Sequence, residues 1–493
     1  MNTYLDTYLE TRKKLKAYEY FTWLSSWDAE TEAPKGSVDY RSKQLEVMTN
    51  EIYAIESDPK YIEAIEKLYD QQDSLEQDLK VEISKQFKAL RMIKKVPKEE
   101  YIAYQVLMSK SIHVWAEAKN SNDFKSYIPT LKEIVNYQRK LVKYLEEPEL
   151  KGYDILLDMY EDGFGQKEYD AFFDTLKREL VDYVKEVTEN PKALHPALTS
   201  GPFDAEKQKA FSEYLLDVFN YPREYGLLKT SEHPFTSGVS SVDTRITTRY
   251  LKDHLASSIF STIHEMGHGL YEIQVDSKYD ETYLNGGTSL GIHESQSRMY
   301  ENMIGRSRAF WSVHLNKLKE IFAPQLDDVT LDDFVDYVNH AERSLIRVEA
   351  DELTYALHIM LRYDLEKQLI QGDLEVEDLP KAWNAMMETY LGITPPNDTL
   401  GVLQDIHWSF GAFGYFPTYA LGSAYGAQIY DAMSKDIDIE SCIANNDMAS
   451  INQWTKEKIH RFGGSKTPKD IIEYATGQPF DPMFYVKYLK TKY

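Results

Sequence analysis

The sequence predicts a mainly α-helical fold, one large unit with a small patch of β structure, on three observations. Apolar residues recur three and four apart over most of the 493 residues, the spacing of one helix face. Strand-like alternation is confined to one stretch, residues 231–250. No internal repeat, low-complexity linker or sharp composition shift divides the chain, so a single unit over 1–493 is expected although the length alone would allow roughly two to four domains.

Composition narrows the class. Hydrophobic residues make up 42% and charged residues 28%, ordinary for a globular chain. The net charge is -24 with no block of Lys or Arg to offset it, which argues against nucleic acid and anionic membrane as partners. Acidity is otherwise a statement about solubility and names no substrate. Cys442 stands alone, so no intramolecular disulfide or Cys-based metal cluster is expected, and a reducing compartment fits. The first twenty residues lack an apolar signal core and no run of 18 apolar residues occurs, so a cytoplasmic protein is expected.

Residues 1–145 read as successive amphipathic helices. Leu5, Tyr8, Leu9, Leu15 and Tyr18 begin a stripe that runs to Trp23 and Trp27 and ends at the turn of Pro34 and Gly36. Helices over 41–55, 61–69 and 75–95 follow, Pro97 breaks the pattern, and 98–144 carries more long helices with Pro129 near a helix start. Such antiparallel helices describe a bundle and are candidates for a lid. Their tyrosines are expected at the core edge with hydroxyls in water.

A loop over 148–165, a helix over 168–190, a loop over 191–202 and a helix over 204–219 come next. Residues 231–250 then read as a short hairpin or meander, where an edge strand would lie to pair with an extended peptide. Asn285, Gly286, Gly287 and Gly291 mark a turn before a helix starting near Ile292, with Ile292, Met299 and Met303 on its apolar side and Glu294 facing away. Helices over 331–370 and 378–391 lead through Pro395 and Pro396 to a Gly- and aromatic-rich segment, 401–428. Gly463, Gly464 and Gly477 separate the last helices.

Residues 253–273 carry the chemistry. They read as one helix with Asp253 suited to the N-cap. At about 100° per residue, Leu255, Ile259, Ile263, Met266, Leu270 and Ile273 form one stripe. His264 and His268 lie on the other side, one turn apart, so both imidazoles can reach one point, with Glu265 beside them. His-Glu-x-x-His supplies two nitrogen ligands for a zinc-type ion and a carboxylate to handle the proton of a bound water. Two histidines four apart also occur on solvated helix faces, so the neighbours matter. Gly267 and Gly269 flank His268, and each costs a helix interior about 1 kcal/mol against alanine. They make sense where another backbone or a substrate approaches closely.

A catalytic zinc takes three protein ligands and keeps one position for water. Glu294 is the leading third candidate, with His293 its rival at the same turn; the alternative is that both are surface residues. Two His and one Glu would bring the pKa of a bound water towards about 7. Glu265 would take that proton and pass it to a leaving amine, which is amide hydrolysis. His407, Tyr415 and Tyr419 are candidate oxyanion donors, core packing being the alternative for these aromatics.

The chain resembles the carboxypeptidase Taq family of zinc metallocarboxypeptidases over essentially its whole length. The motifs occur in order: His233-Pro234-Phe235, Asp243-Thr-Arg245-Ile-Thr247, His264-Glu265-Met-Gly-His268, His293-Glu294-Ser295-Gln296, Ile346-Arg347-Val-Glu-Ala350-Asp351 and Gly401-Val-Leu-Gln404-Asp405-Ile-His407-Trp408. Near the start, Trp27-Asp28 with Thr31, Pro34 and Gly36 resembles the family's opening signature. The resemblance implies a large helical two-lobed fold with a deep central groove and a small β-sheet beside the metal, 230–300 forming the metal-site core and 340–430 the substrate groove. It implies homodimers that hold one Zn2+ per chain, with Co2+ as a substitute, and trim peptides residue by residue from the C-terminus with broad specificity. By resemblance His264, His268 and Glu294 are metal ligands and Glu265 is the general base. His407 with Tyr419 looks like the pair that stabilises the oxyanion in related helical zinc oligopeptidases.

A carboxypeptidase must also hold a free C-terminal carboxylate, which a guanidinium does bidentately. Arg347 and Arg245 are the candidates, Arg347 favoured. The alternative for each is a salt bridge inside the groove, Asp351 lying one turn from Arg347 on what is expected to be the same helix. His233 and Asp243 are expected to position substrate or brace the sheet. The leading expectation is a metallocarboxypeptidase acting on unfolded peptides. A zinc oligopeptidase cutting internally or releasing dipeptides, and a helical peptide-binding scaffold with a vestigial metal site, are the alternatives.

Overall fold

A 29-residue helix, α1 (Thr3–Thr31), opens the computed structural model, which describes residues 3–493. It is about 44 Å long at 1.5 Å per residue, and its two ends serve different parts of the molecule. Tyr8 and Leu15 near its start join Tyr61, Ala64, Ile65 and Leu68 of α3 (Pro59–Asp70) and Ile83 and Leu90 of α4 (Gln77–Lys95) in a small separate core, with Ile52 and Ile55 of α2 (Val38–Glu56) against it. Near its end Trp23 donates to Ser237 Oγ at 2.7 Å and Trp27 packs edge-on against Phe235, so α1 spans from the small core to the sheet.

Tyr8, Tyr61 and Tyr127 depart from the expected core-edge placement, whereas Tyr20, Tyr53 and Tyr101 are exposed. Tyr8 is fully buried and donates its hydroxyl to Glu82 Oε1 at 2.9 Å, while Arg12 holds Glu82 Oε2 at 2.7 Å. A buried carboxylate brought in by α4 supplies the acceptor that water would otherwise provide.

α5 (Lys98–Ser121) and α6 (Phe124–Leu145) contribute instead to a second, much larger core that runs through the rest of the chain. α7 (Asp154–Asp158) occupies part of the expected 148–165 loop, and α8 (Gln166–Val187), α9 (Pro196–Thr199) and α10 (Ala205–Val218) follow.

The sheet has three strands, β1 (Gly226–Thr230), β2 (Thr236–Ser240) and β3 (Asp243–Thr248), in the order β1-β3-β2. β2 and β3 form the expected hairpin, Thr236 opposite Ile246, and β1 pairs parallel to β3, Gly226 opposite Thr244. β1 lay outside the predicted stretch because Gly-Leu-Leu-Lys-Thr shows no alternation; its strand state comes from pairing with β3.

α11 (Leu255–Gln274) packs against β3 and buries Leu255, Ile259, Ile263, Met266 and Leu270 as the stripe predicts, Ile273 being half-buried. Its N-cap position is His254, not Asp253, and makes no side-chain cap bond. α12 (Leu290–Arg298) starts with Ser289 accepting from the Ile292 N–H and continues into a π-helical turn, Met299–Gly305. α13 (Arg308–Phe322) follows.

The helix expected over 331–370 is broken into α14 (Leu331–Val338) and α15 (Glu352–Gln371), with a 3-10 turn at Arg347–Glu349 between them. No Gly or Pro marks that break. Asp351 makes it by accepting from the Leu353 and Thr354 N–H groups as N-cap of α15, so it is not on a shared helix with Arg347. α16 (Leu379–Leu391), α17 (Phe416–Asp436), α18 (Ile439–Ala444), α19 (Met448–Lys458), α20 (Pro468–Thr476) and α21 (Met483–Lys492) complete the chain. Among the described residues no helix is long and apolar enough to cross a membrane.

Candidate metal centre

α11 carries His264 and His268 on one side, and α12 crosses it with Glu294 facing them. Glu294 Oε2 lies 3.7 Å from His264 Nε2 and 3.4 Å from His268 Nε2, and one ligand atom from each of the three residues falls within 4.8 Å of the others. Donors around a tetrahedral ion at 2.0–2.1 Å sit about 3.4 Å apart, so this donor set fits a zinc-type ion. Among the described residues it is the one such group found.

Two glycines let the helices come this close. A Cβ on Gly267 would stand 2.8 Å from Ser297 Cα on α12, so the glycine before His268 answers to a neighbouring backbone. A Cβ on Gly422 of α17 would stand 2.6 Å from both Cβ and Cγ of Glu294, so α17 presses Glu294 from behind.

The far side of each candidate ligand is also occupied. Glu301 Oε2, on the π-helical turn, lies 2.9 Å from His264 Nδ1, and Arg306 binds its other oxygen at 2.9 Å. Arg298 donates to Glu294 Oε1 at 2.7 Å, and Oε2, which also accepts from Ser297 Oγ at 3.3 Å, faces the two histidines. His293, the rival ligand, stands behind His268, with Nδ1 to Nδ1 at 2.6 Å and its Nε2 on Glu272 Oε1 at 2.6 Å. Arg298, Glu301 and Glu272 escaped the sequence reading although their spacing was legible: Arg298 and Glu301 follow Glu294 by one and two turns, and Glu272 follows His268 by one.

Electrostatics favour the ligand-competent protonation states of Glu294 and His268, whereas the carboxylates around His264 favour its protonated form. Burial alone would raise Glu294, yet Arg298 and the two histidines hold it well below the usual carboxylate range. Burial pushes His268 down to about 4, keeping its imidazole neutral. Burial also acts to lower His264, but Glu294 and Glu301 outweigh it and raise the group. Glu265 is raised by burial against the opposing effects of His264 and Thr236.

These residues line a cavity of about 400 Å³ with Pro234, Phe235, Thr236, Leu290, Tyr415, Thr418 and Tyr419. Thr236, on edge strand β2, donates to Glu265 Oε2 at 2.7 Å. Tyr419 faces the cavity with its hydroxyl 3.3 Å from His407 Nε2, and burial beside Arg347 brings His407 down to about 3. Tyr415 stacks on Tyr160 at 5.1 Å.

The remaining candidates sit further out. Arg347 is buried, with Nε donating to Asp405 Oδ1 at 2.9 Å and Nη1 to Tyr355 at 3.1 Å; Arg362 takes the other oxygen of Asp405 at 2.7 Å. Arg245 holds Asp243 through two bonds of 2.8 Å and lies 4.6 Å from the Trp23 ring, bracing α1 against β3. His233 is exposed, and its carbonyl accepts from Ser231 at 2.6 Å.

The sequence matches the family model described as carboxypeptidase Taq (M32) metallopeptidase over residues 7–493. The chain belongs to that family. Its M32 relatives include Carboxypeptidase 1 of Bacillus subtilis, 38% identical over 494 residues, covering 100% of this chain and 98% of that protein. Thermostable carboxypeptidase 1 of Thermus thermophilus is 35% identical, covering 95% and 94%. Among solved structures, an M32 carboxypeptidase from Deinococcus radiodurans superposes with a TM-score of 0.94 at 32% identity over 100% of this chain and 99% of that one. A Pyrococcus furiosus carboxypeptidase gives 0.95 at 33%, also over 100% and 99%. The protein is a metallocarboxypeptidase, a peptide hydrolase.

Proposed function

We propose that the protein removes single residues from the C-termini of peptides with broad specificity, using one Zn2+ per chain with Co2+ as a substitute. The carrying observation is the convergence of His264, His268 and Glu294 beside Glu265 in one cavity. The ion would supply Lewis acidity toward the scissile carbonyl and lower the pKa of a water molecule.

Glu265 accepts the proton of the attacking water and returns it to the leaving nitrogen. Its burial makes it a stronger base than a surface carboxylate, and the Thr236 bond to Oε2 fixes its orientation. Tyr419 donates its hydroxyl to the developing oxyanion, held by a neutral His407. Tyr415 shapes the wall beside it.

Arg347 is the group we assign to the C-terminal carboxylate. Arg347 and Arg362 share the single carboxylate of Asp405, which leaves a positive charge without a partner behind Tyr419. Arg245 is engaged by Asp243 and serves the α1 brace. Assembly as a homodimer is carried over from the family resemblance alone, and a cytoplasmic location from the lone Cys442, which fits a reducing compartment.

Mass spectrometry of a peptide digest tests the reading. Stepwise loss of single residues from the C-terminus, with an amidated peptide left intact, is the expected result. Internal cuts or equal cleavage of the amide would replace it with an oligopeptidase.

A further inference from the structure

A second cavity of about 380 Å³ adjoins the metal cleft and is lined by one face of α4, where Lys85, Lys88, Ala89 and Met92 recur at helical spacing, with Arg91 at its margin. The opposite wall is Tyr160 with Thr288 and Ser289. The two cavities share a partition: Ser289 faces this one and Leu290 the metal cleft, and Tyr160 stacks on Tyr415, which lines the cleft. The space lies where the small N-terminal core meets the large one.

Its charges are unevenly paired. Lys88 is bound by Asp158 at 2.7 Å and Asp162 at 2.5 Å, and Arg91 by Glu147 at 3.0 Å. Lys85 has no hydrogen bond or ion pair among the described residues, and Asp162, already held by Lys88, reaches it only through space. The start of α12 is not the anion site, because Glu161 already accepts from Ser289 Oγ and the Gly291 N–H. An unpaired, half-buried ammonium facing a groove in a chain of net charge -24 is stabilised by an incoming carboxylate.

Distance selects which carboxylate. Five helical residues separate Ser289 from Glu294 on α12, about 7.5 Å of rise. An extended peptide covers that in about two to three residues. Resting on the carboxypeptidase reading, only one residue lies beyond the scissile bond, so a cavity whose near wall, Ser289, stands this far from Glu294 meets the upstream side. We propose that this cavity is a subsite for an acidic side chain of the peptide, Asp or Glu, about two to three residues before the scissile bond, with Lys85 as its counter-ion.

The test compares N-blocked peptides that share a C-terminal dipeptide and carry Glu, Gln or Lys at that upstream position. In the wild type kcat/KM should favour Glu over Gln by about threefold to tenfold, the effect of one partly screened charge pair. The ratio should fall to one in Lys85→Met, reverse in favour of Lys in Lys85→Glu, and return in Lys85→Arg. Because each ratio is internal to one variant, a general loss of activity cancels. A wild type without preference, or a preference that survives Lys85→Met, overturns the proposal. So does a Lys85→Met protein that changes the ratio of free-acid to amidated peptide and leaves Glu against Gln untouched, since the cavity would then hold the terminal carboxylate. Fluorescence binding of the same peptides to Glu265→Gln protein separates the two readings. Tighter binding of Glu peptides without any C-terminal trimming by the wild type keeps the subsite and removes the carboxypeptidase assignment.

Discussion

His293 and His268 face each other through their Nδ1 atoms at 2.6 Å. Only one of two such nitrogens can carry the proton between them. If His268 presents a bare Nε2 to the ion, its Nδ1 is the donor and His293 Nδ1 the acceptor. His293 then carries its own proton on Nε2 and donates to Glu272 at 2.6 Å. One carboxylate, two residues removed, would thereby fix the tautomer of a proposed ligand. Glu301 does the same for His264 directly at 2.9 Å.

Removing this support should be felt in metal affinity. His293→Ala and Glu272→Gln should each weaken binding by about 10- to 100-fold, read by competition with a chromophoric chelator. Hydrolysis should fall with it at limiting metal and recover at saturation. Unchanged affinity in both variants would remove the tautomer argument.

On the proposed mechanism Glu265 supplies a proton path and makes no metal bond. Glu265→Gln should lower kcat by about 10²- to 10⁴-fold with the metal content of the wild type. A strong chelator should abolish wild-type hydrolysis, and Zn2+ or Co2+ should restore it. A Gln variant with wild-type turnover would place the base elsewhere.

Gly422 touches Glu294, the proposed third ligand. Gly422→Ala places a methyl 2.6 Å from Glu294 Cβ and Cγ, so Glu294 must move. Metal affinity should drop by about tenfold or more, whereas an alanine at exposed Gly36, which meets nothing within 4 Å, should leave it unchanged.

Glu161 gives a pH signature. Burial, opposed by the Gly291 and Ser289 bonds, pushes its carboxyl up to about 8 from an ordinary value of 4.5. Between those values the folded chain holds a proton that the unfolded chain has released, so this group lowers stability as pH rises across that window, by up to about 1.4 kcal/mol per pH unit. Melting curves should show Glu161→Gln gaining on the wild type from pH 5 to pH 8. Parallel curves would mean that the folded and unfolded carboxyls titrate alike.

The two arginines should separate by phenotype. Arg347→Met should erase the preference for a free C-terminal acid over the amide, raising KM for the acid. Arg245→Met should leave that preference and loosen α1, seen as faster limited proteolysis near Trp23 and Trp27. The reverse outcome would exchange their roles.

The helical class, the stripe of α11 and the pairing of His264 with His268 were legible in the sequence because they follow from spacing within a single helix. The hairpin of β2 and β3 was legible because alternation marks a half-buried strand. Other features depended on contacts between distant segments. β1 is a strand because β3 pairs with it, and the gap between α14 and α15 follows from Asp351 capping and from Asp405 binding Arg347 and Arg362. Spacing alone left Glu294 and His293 as rivals at one turn. The crossing of α11, α12 and α17 turns Glu294 towards the two histidines and sets His293 behind His268, where it meets Glu272. Local periodicity determines which residues share a face; packing between helices decides which face meets which, and that is where the ligand and its support part ways.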